Sequence, residues 1–197
     1  STVTPAPTDT LWPTFTPAAP TPTPRPVDTG WERAAPGIEV RSLDVPQDTV
    51  TERVALARVD PAAVRFRVLY EPDAPATVQA WAARSGADLV INAGYFTEDD
   101  TTIGLTISEG VPYGVPYGDY AGMFAVTADD QVSVRWLRVW PYQPAESLRA
   151  AVQSFPILVK PGGVLGFAAE ADDGRASRRS VVGQDGAGRI LFAVAPE

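Results

Sequence analysis

Asn92 opens a short run, Asn-Ala-Gly-Tyr-Phe, that follows directly on three apolar residues, Leu89, Val90 and Ile91. The apolar residues have the composition of a strand covered on both faces, and Gly94 permits a tight bend or the close approach of a ligand. An amide is thereby projected from the end of a rigid element, although the same pattern also serves an ordinary strand-to-loop junction. Far downstream, Arg175, Arg178 and Arg179 put three guanidinium groups within five residues, and Arg179 is followed by Ser180, Val181, Val182 and Gly183. A guanidinium at a strand edge can grip phosphate or carboxylate through two parallel hydrogen bonds. The competing reading is a solvated turn whose arginines pair with Asp172, Asp173 and Asp185.

The residue types that are missing narrow the chemistry further. The chain has no His and no Cys, which excludes Ser-His-Asp and Cys-His catalysis, His-ligated or Cys-ligated zinc, thiolate nucleophiles and disulfides. Carboxylates, Arg, Lys, Tyr, hydroxyls, amides or an oxygen-bound metal remain. A formal net charge of -8 and a pI near 4.6 argue against nucleic acid or an anionic membrane as a general partner. Any anionic ligand must therefore meet a local cluster of positive charge.

The elements that would position these groups are legible as periodicity. Gly37 to Leu43, Arg53 to Val59 and Val64 to Tyr70 alternate apolar and polar residues as half-buried strands do, with a turn at Asp60-Pro61. Thr77 to Ser85 reads as a helix, capped by Thr77 and stopped by Gly86, that feeds into a strand at Leu89. Further strands are expected at Leu105 to Ser108, ending in a tight turn at Glu109-Gly110, and at Gly122 to Val126, Val132 to Val139, Phe155 to Val159 and Ile190 to Val194. A short helix is expected at Ala145 to Gln153. The Gly, Pro and Tyr stretch from Gly110 to Gly118 is a loop of the kind that lines binding sites. Together these predict an α+β domain, a mixed but largely antiparallel sheet with a few packed helices.

The first thirty residues are different material. They hold eight of the chain's twenty prolines and nine threonines, a density that cannot supply ladder hydrogen bonds and stays extended or disordered. Residues 1–30 are accordingly expected to be a Thr/Pro-rich linker or stalk, and residues 31–197 a single domain. Such tracts are typical of secreted or cell-surface proteins, where a signal peptide or anchor precedes them. No apolar stretch approaches the ~20 residues of a membrane span.

Four segments occur in a fixed order: INAGYF (Ile91 to Phe96), GL-x-IS-x-G (Gly104 to Gly110), SFPILV (Ser154 to Val159) and R-S-V-V-G-x-D (Arg179 to Asp185). Together they resemble the phosphodiester glycosidase family, formerly a domain of unknown function, to which N-acetylglucosamine-1-phosphodiester alpha-N-acetylglucosaminidase belongs. The resemblance covers roughly Trp31 to the end. It implies hydrolysis of the bond between a sugar's anomeric carbon and a phosphodiester, in glycans or in cell-wall or exopolysaccharide material. Phosphate leaves readily because its second pKa is about 6, so a site without His suffices. The reaction still needs donors on the phosphate and a carboxylate or activated water near the oxocarbenium-like carbon.

On the resemblance, Arg179 would hold the phosphate and Asn92 would orient sugar or phosphate oxygens, with Gly94, Tyr95 and Phe96 shaping the sugar pocket and Ser154 offering a hydrogen bond. Glu98, Asp99, Asp100 and Asp185 are the carboxylate candidates, with Asp185 also suited to a structural turn over Gln184 to Gly188. The three acids after Phe96 could instead offer oxygens to a calcium ion, though without a recognised loop pattern; otherwise no cofactor is implied. Family members continue into a helix and a Leu-Asp-Gly-Gly segment, so this chain is expected to be a fragment of a longer product. The alternatives are a non-catalytic carbohydrate-binding or surface-display module, and an accessory protein of exopolysaccharide biosynthesis.

Overall fold

In the computed structural model, which describes residues 27–47, 50–167 and 178–195, alternation of side chains produces two antiparallel sheets. The first contains β1 (Glu32–Ala35), β2 (Ile38–Gln47), β3 (Val50–Val59), β11 (Arg179–Gln184) and β12 (Ile190–Ala195), in the spatial order β1-β2-β3-β12-β11. The second contains β4 (Thr106–Ser108), β5 (Val111–Tyr113), β6 (Gly122–Thr127), β7 (Val132–Trp136) and β8 (Leu148–Ser154), in the order β5-β4-β8-β6-β7. A small hairpin, β9 (Val159–Lys160) with β10 (Val164–Leu165), stands apart from both.

The sheets meet face to face, each covering an apolar face of the other. Ile38, Val59 and Ile190 from the first sheet pack with Val126 and Ala150 from the second, around the buried ring of Phe66. That ring lies 5.7 Å from Phe124 and 6.4 Å from Phe192, touching both sheets. The other face of the second sheet is apolar as well: Leu105, Ile107, Met123, Ala125 and Ala151 are buried there beneath Tyr117 and Tyr142.

Three expected strands and one expected helix turn out differently. Residues 64–70 alternate as expected, with Phe66 buried and Arg65 and Arg67 exposed, but they join no ladder. Side chains satisfy this backbone instead: Ser108 Oγ donates to the Val68 carbonyl at 2.8 Å and Arg149 Nη1 to that of Phe66 at 2.9 Å. Period-two alternation reports which way side chains face, and not whether a partner strand exists. Leu89 to Ile91 likewise join no ladder among the described residues, and Leu89 is exposed. Phe155 to Val159 does not continue β8, since Pro156 has no N–H to donate to a ladder. Most of the stretch expected to be a helix, Ala145 to Gln153, is β8. Its residues are buried on both faces between β4 and β6, so the alternation that would have marked a strand is missing.

The single helix among the described residues, α1 (Val78–Ser85), replaces the expected few. It has the expected caps: Thr77 Oγ1 accepts from Ala80 N at 3.2 Å, and Gly86, in the left-handed region at φ 63°, donates its N–H to the Ala82 carbonyl. None of its residues is buried. Val27 to Gly30, which composition had grouped with the linker, are fastened along β2. Asp44 N donates to the Val27 carbonyl, Thr29 N donates to that of Ser42, and Asp28 pairs with Arg41. Residues 1–26 lie outside the described residues.

Candidate active site

The segment from Asn92 to Phe96 lies where the two sheets come together. At one end, Ser180 Oγ on β11 donates to the Asn92 carbonyl at 3.2 Å. In the middle, Gly94 takes φ 69° and turns its back to β8, where a Cβ would come 3.1 Å from Val152 Cγ1. A larger residue would be strained there and would crowd the strand. At the other end, Tyr95 Oη donates to the Phe155 carbonyl at 2.8 Å, and the two rings pack at 5.0 Å. Two of the four sequence segments, INAGYF and R-S-V-V-G, thus meet directly at Ser180, and SFPILV joins them through Phe155.

Around Tyr95 the structure assembles an aromatic cluster. Tyr117 approaches Phe155 edge-on at 5.3 Å and 82°, and Tyr120 lies 5.9 Å from Tyr117 and 5.8 Å from Phe155. Tyr117 fits because residue 104 is glycine: a Cβ there would sit 2.5 Å from the Tyr117 ring. Gln153, 1% exposed, fixes the loop by accepting a 2.6 Å hydrogen bond from Tyr117 N, while its Nε2 points at Met123 Sδ. The Tyr117 hydroxyl is buried with no hydrogen-bond partner among the described residues. Burial first, and then the neighbouring Tyr120 and Tyr95 phenols, raise its pKa above the ordinary tyrosine value. Ser154 pairs with Gly122 at the end of β8, beside this cluster.

The charged candidates are placed less uniformly. Arg179 begins β11, the outer strand of its sheet, and is exposed. Because Ser180 faces the Asn92 segment, alternation turns Arg179 to the other side of the strand. There its Nη1 donates to the Arg178 carbonyl at 2.9 Å. Neither Arg178 nor Arg179 pairs with a carboxylate among the described residues, and Arg175 lies outside them. Asp185 closes the turn into β12, accepting from Ala187 N, Arg189 N and Arg189 Nε at 2.8–3.0 Å. The Arg189 guanidinium first, and then these backbone donors, hold its pKa below the usual aspartate value. Glu98 and Asp99 stand exposed at a turn closed by Thr97 N on the Thr101 carbonyl at 2.9 Å. Phe96 bridges Thr102 across that turn and is 58% exposed. No group of three or more acidic residues among the described ones could hold a metal ion.

A family model described as phosphodiester glycosidase matches residues 85–197, more than half of the chain. The chain belongs to the phosphodiester glycosidase family. No curated protein matches it. The matched region contains every candidate site residue, while β1 to β3 and nearly all of α1 lie ahead of it. Those strands are not a separate unit, since β3 pairs with β12 from Ile190 opposite Val59 to Val194 opposite Ala55. No helix among the described residues is long and apolar enough to cross a membrane. Sequence reasoning missed Ser180, Tyr117, Tyr120 and Gln153 as parts of the site. The Gly, Pro and Tyr loop from Gly110 to Gly118 signalled Tyr117, whereas Gln153 lay hidden in what looked like a helix.

Proposed function

We propose that this phosphodiester glycosidase acts outside the cell on a sugar-1-phosphodiester, releasing the sugar from its phosphate in glycan, cell-wall or exopolysaccharide material. The observation that carries this reading is the hydrogen bond from Ser180 to the Asn92 carbonyl, which brings the arginine-bearing strand start onto the INAGYF segment. In this reading Arg179, swung around the open edge of β11, holds the phosphate, and Arg178 beside it adds positive charge. Charge-assisted, two-point contact suits the leaving group, and the acidic chain as a whole offers few other places for it. The Asn92 amide and Ser154 orient substrate oxygens, and Gly94 lets the segment that carries Asn92 lie close against β8. Glu98, Asp99 and Asp100 have side-chain oxygens with no partner among the described residues, and Glu98 is taken as the carboxylate of the reaction, whereas both oxygens of Asp185 are engaged in its turn.

The test is hydrolysis of a panel of hexose 1-phosphodiesters by the natural full-length protein and its Arg179→Ala, Arg178→Ala and Glu98→Gln variants. Arg179→Ala should lower kcat/KM by about 100-fold, in keeping with loss of a charged donor to a developing anion. It should leave the melting temperature unchanged. Full turnover in Arg179→Ala removes that residue from the site. Sugar-phosphate binding with no turnover on any substrate would assign the chain to the non-catalytic carbohydrate-binding class instead.

A further inference from the structure

The rings of Tyr95, Tyr120 and Phe155 are 38%, 53% and 41% exposed, yet they touch one another in one contiguous group. Apolar surface of this kind, kept open to water and built from aromatics, marks a binding surface more often than a stray side chain. Its construction is rigid. Tyr95 is pinned through its hydroxyl to the Phe155 carbonyl, and Tyr117 supports Phe155 from the side. Tyr117 in turn is seated on Gly104 and held through its amide by Gln153. Rings fixed in this way lose little conformational freedom when a ligand lands on them.

We propose that Tyr120, Tyr95 and Phe155 form a platform that stacks against the apolar C–H face of a pyranose ring, the sugar half of the phosphodiester. This rests on the reading of the site as one for a sugar phosphodiester, and it assigns the sugar to a place. A pyranose has the matching chemistry, with one face rich in C–H groups and a rim of hydroxyls. Tyr120 supplies an exposed ring, and Tyr117 backs it at 5.9 Å. Position fits as well. Tyr95 is three residues from Asn92 and so no more than about 11 Å away along an extended chain, and Asn92 is the residue held by Ser180 next to Arg179. The platform and the start of β11 thus lie at the two ends of one five-residue segment. A shallow depression of about 170 Å³ lined by Tyr117, Gly118, Asp119, Leu137 and Tyr142 adjoins the same loop and gives room for substituents.

The experiment measures dissociation constants of the full-length protein for glucose 1-phosphate, galactose 1-phosphate and N-acetylglucosamine 1-phosphate, with inorganic phosphate as the reference. At least one hexose 1-phosphate should bind about tenfold or more tightly than inorganic phosphate, the scale of one aromatic contact with its buried area. Tyr120→Ala should erase that difference and leave inorganic phosphate binding unchanged, while Tyr120→Phe keeps it. Tyr120 is half exposed, so these variants fold. Equal affinity for inorganic phosphate and every hexose 1-phosphate, or a Tyr120→Ala protein that retains the preference, overturns the platform. Arg179→Ala separates the two readings. If it weakens all four ligands alike while Tyr120→Ala changes none, the phosphate site stands and the platform falls. If only Tyr120→Ala has an effect, the platform stands without Arg179.

Discussion

Replacing Gln153 by leucine isolates what the buried amide contributes. The side chain is 1% exposed, and its Oε1 is the acceptor for Tyr117 N at 2.6 Å, while its Nε2 meets only the weak acceptor Met123 Sδ at 3.6 Å. Leucine has a similar volume and suits the apolar neighbours Met123 and Ala151, so little is lost by cavity formation. What is lost is the partner of the Tyr117 N–H. Leaving a partly buried donor unsatisfied costs about 1–3 kcal/mol, and the relief of burying no amide returns part of it. A net loss of about 1–2 kcal/mol corresponds to a fall of roughly 2–8 °C in Tm for a domain of this size. Thermal unfolding gives the size of the effect, and amide hydrogen exchange gives its place, since the Tyr117 amide should lose protection more than the amides of β2 and β3. An unchanged or raised Tm together with a Tyr117 amide protected as in the parent would mean that Gln153 does not hold the loop. Gln153→Glu keeps an acceptor but places a carboxylate in a position closed to water, so it should be the more damaging change at neutral pH.

Gly104→Ala should destabilise by about 1–3 kcal/mol through overpacking, because its Cβ would meet the Tyr117 ring at 2.5 Å; a Tyr117→Leu second change should recover part of the loss in a thermal melt. Glu146→Ala removes the carboxylate that meets Arg135 at 2.6 Å, where Arg135 is 3% exposed. An uncompensated buried guanidinium then costs about 3–5 kcal/mol in denaturant unfolding, against a much smaller loss when Arg135→Met removes both charge and need. Asp28 is held down from 3.8 to about 2 first by its Arg41 hydrogen bond. The unfolded chain therefore binds the proton more readily than the folded one. The stabilisation from this pair is complete above the unfolded value and is lost as pH falls through about 2. Asp28→Asn should flatten the acid limb of Tm against pH between about 4 and 2 and leave the curve above pH 5 unaltered in shape. Asp28 is a surface residue, so the change is small and best read as a difference between the two proteins.

How much of this was readable from residues alone varies with the kind of interaction. β2 and β3 were visible because polar and apolar residues alternate along them, β4 because Glu109-Gly110 marks the turn that ends it, and α1 because Thr77 and Gly86 are side-chain and backbone signals that act within one turn. β8 was not visible, since a strand dry on both faces has no period, and Leu, Ala and Gln are good helix formers that only tertiary packing overrules. Residues 64–70 and Leu89 to Ile91 fail in the opposite sense: their patterns are those of strands, but pairing depends on distant chain that local sequence does not describe. At the site, Asn92, Gly94 and Tyr95 could be singled out from their motif. Their meeting with Ser180 and Phe155 is long-range, and so is the seat that Gly104 provides for Tyr117. Asp185 shows the reverse, a carboxylate in a family motif whose oxygens are already engaged by Arg189 and by backbone N–H groups.

The junction of β3 with β12 also sets the order in which the molecule can be assembled. The second sheet is contiguous in sequence, running from Thr106 to Ser154, and can close as soon as that stretch is available. The first sheet waits, because Val59 has no partner on β12 until Ile190 has been synthesised and brought back to it. Pairings of such high contact order are slow, and they leave the edge of β3 and the apolar face of the second sheet open to a growing chain. The Phe66 ring, which needs Phe124 from one sheet and Phe192 from the other, is therefore the point at which the two halves commit to each other. Loss of either end of the domain would dissolve the same sheet, and with it the strand that presents Ser180 to Asn92.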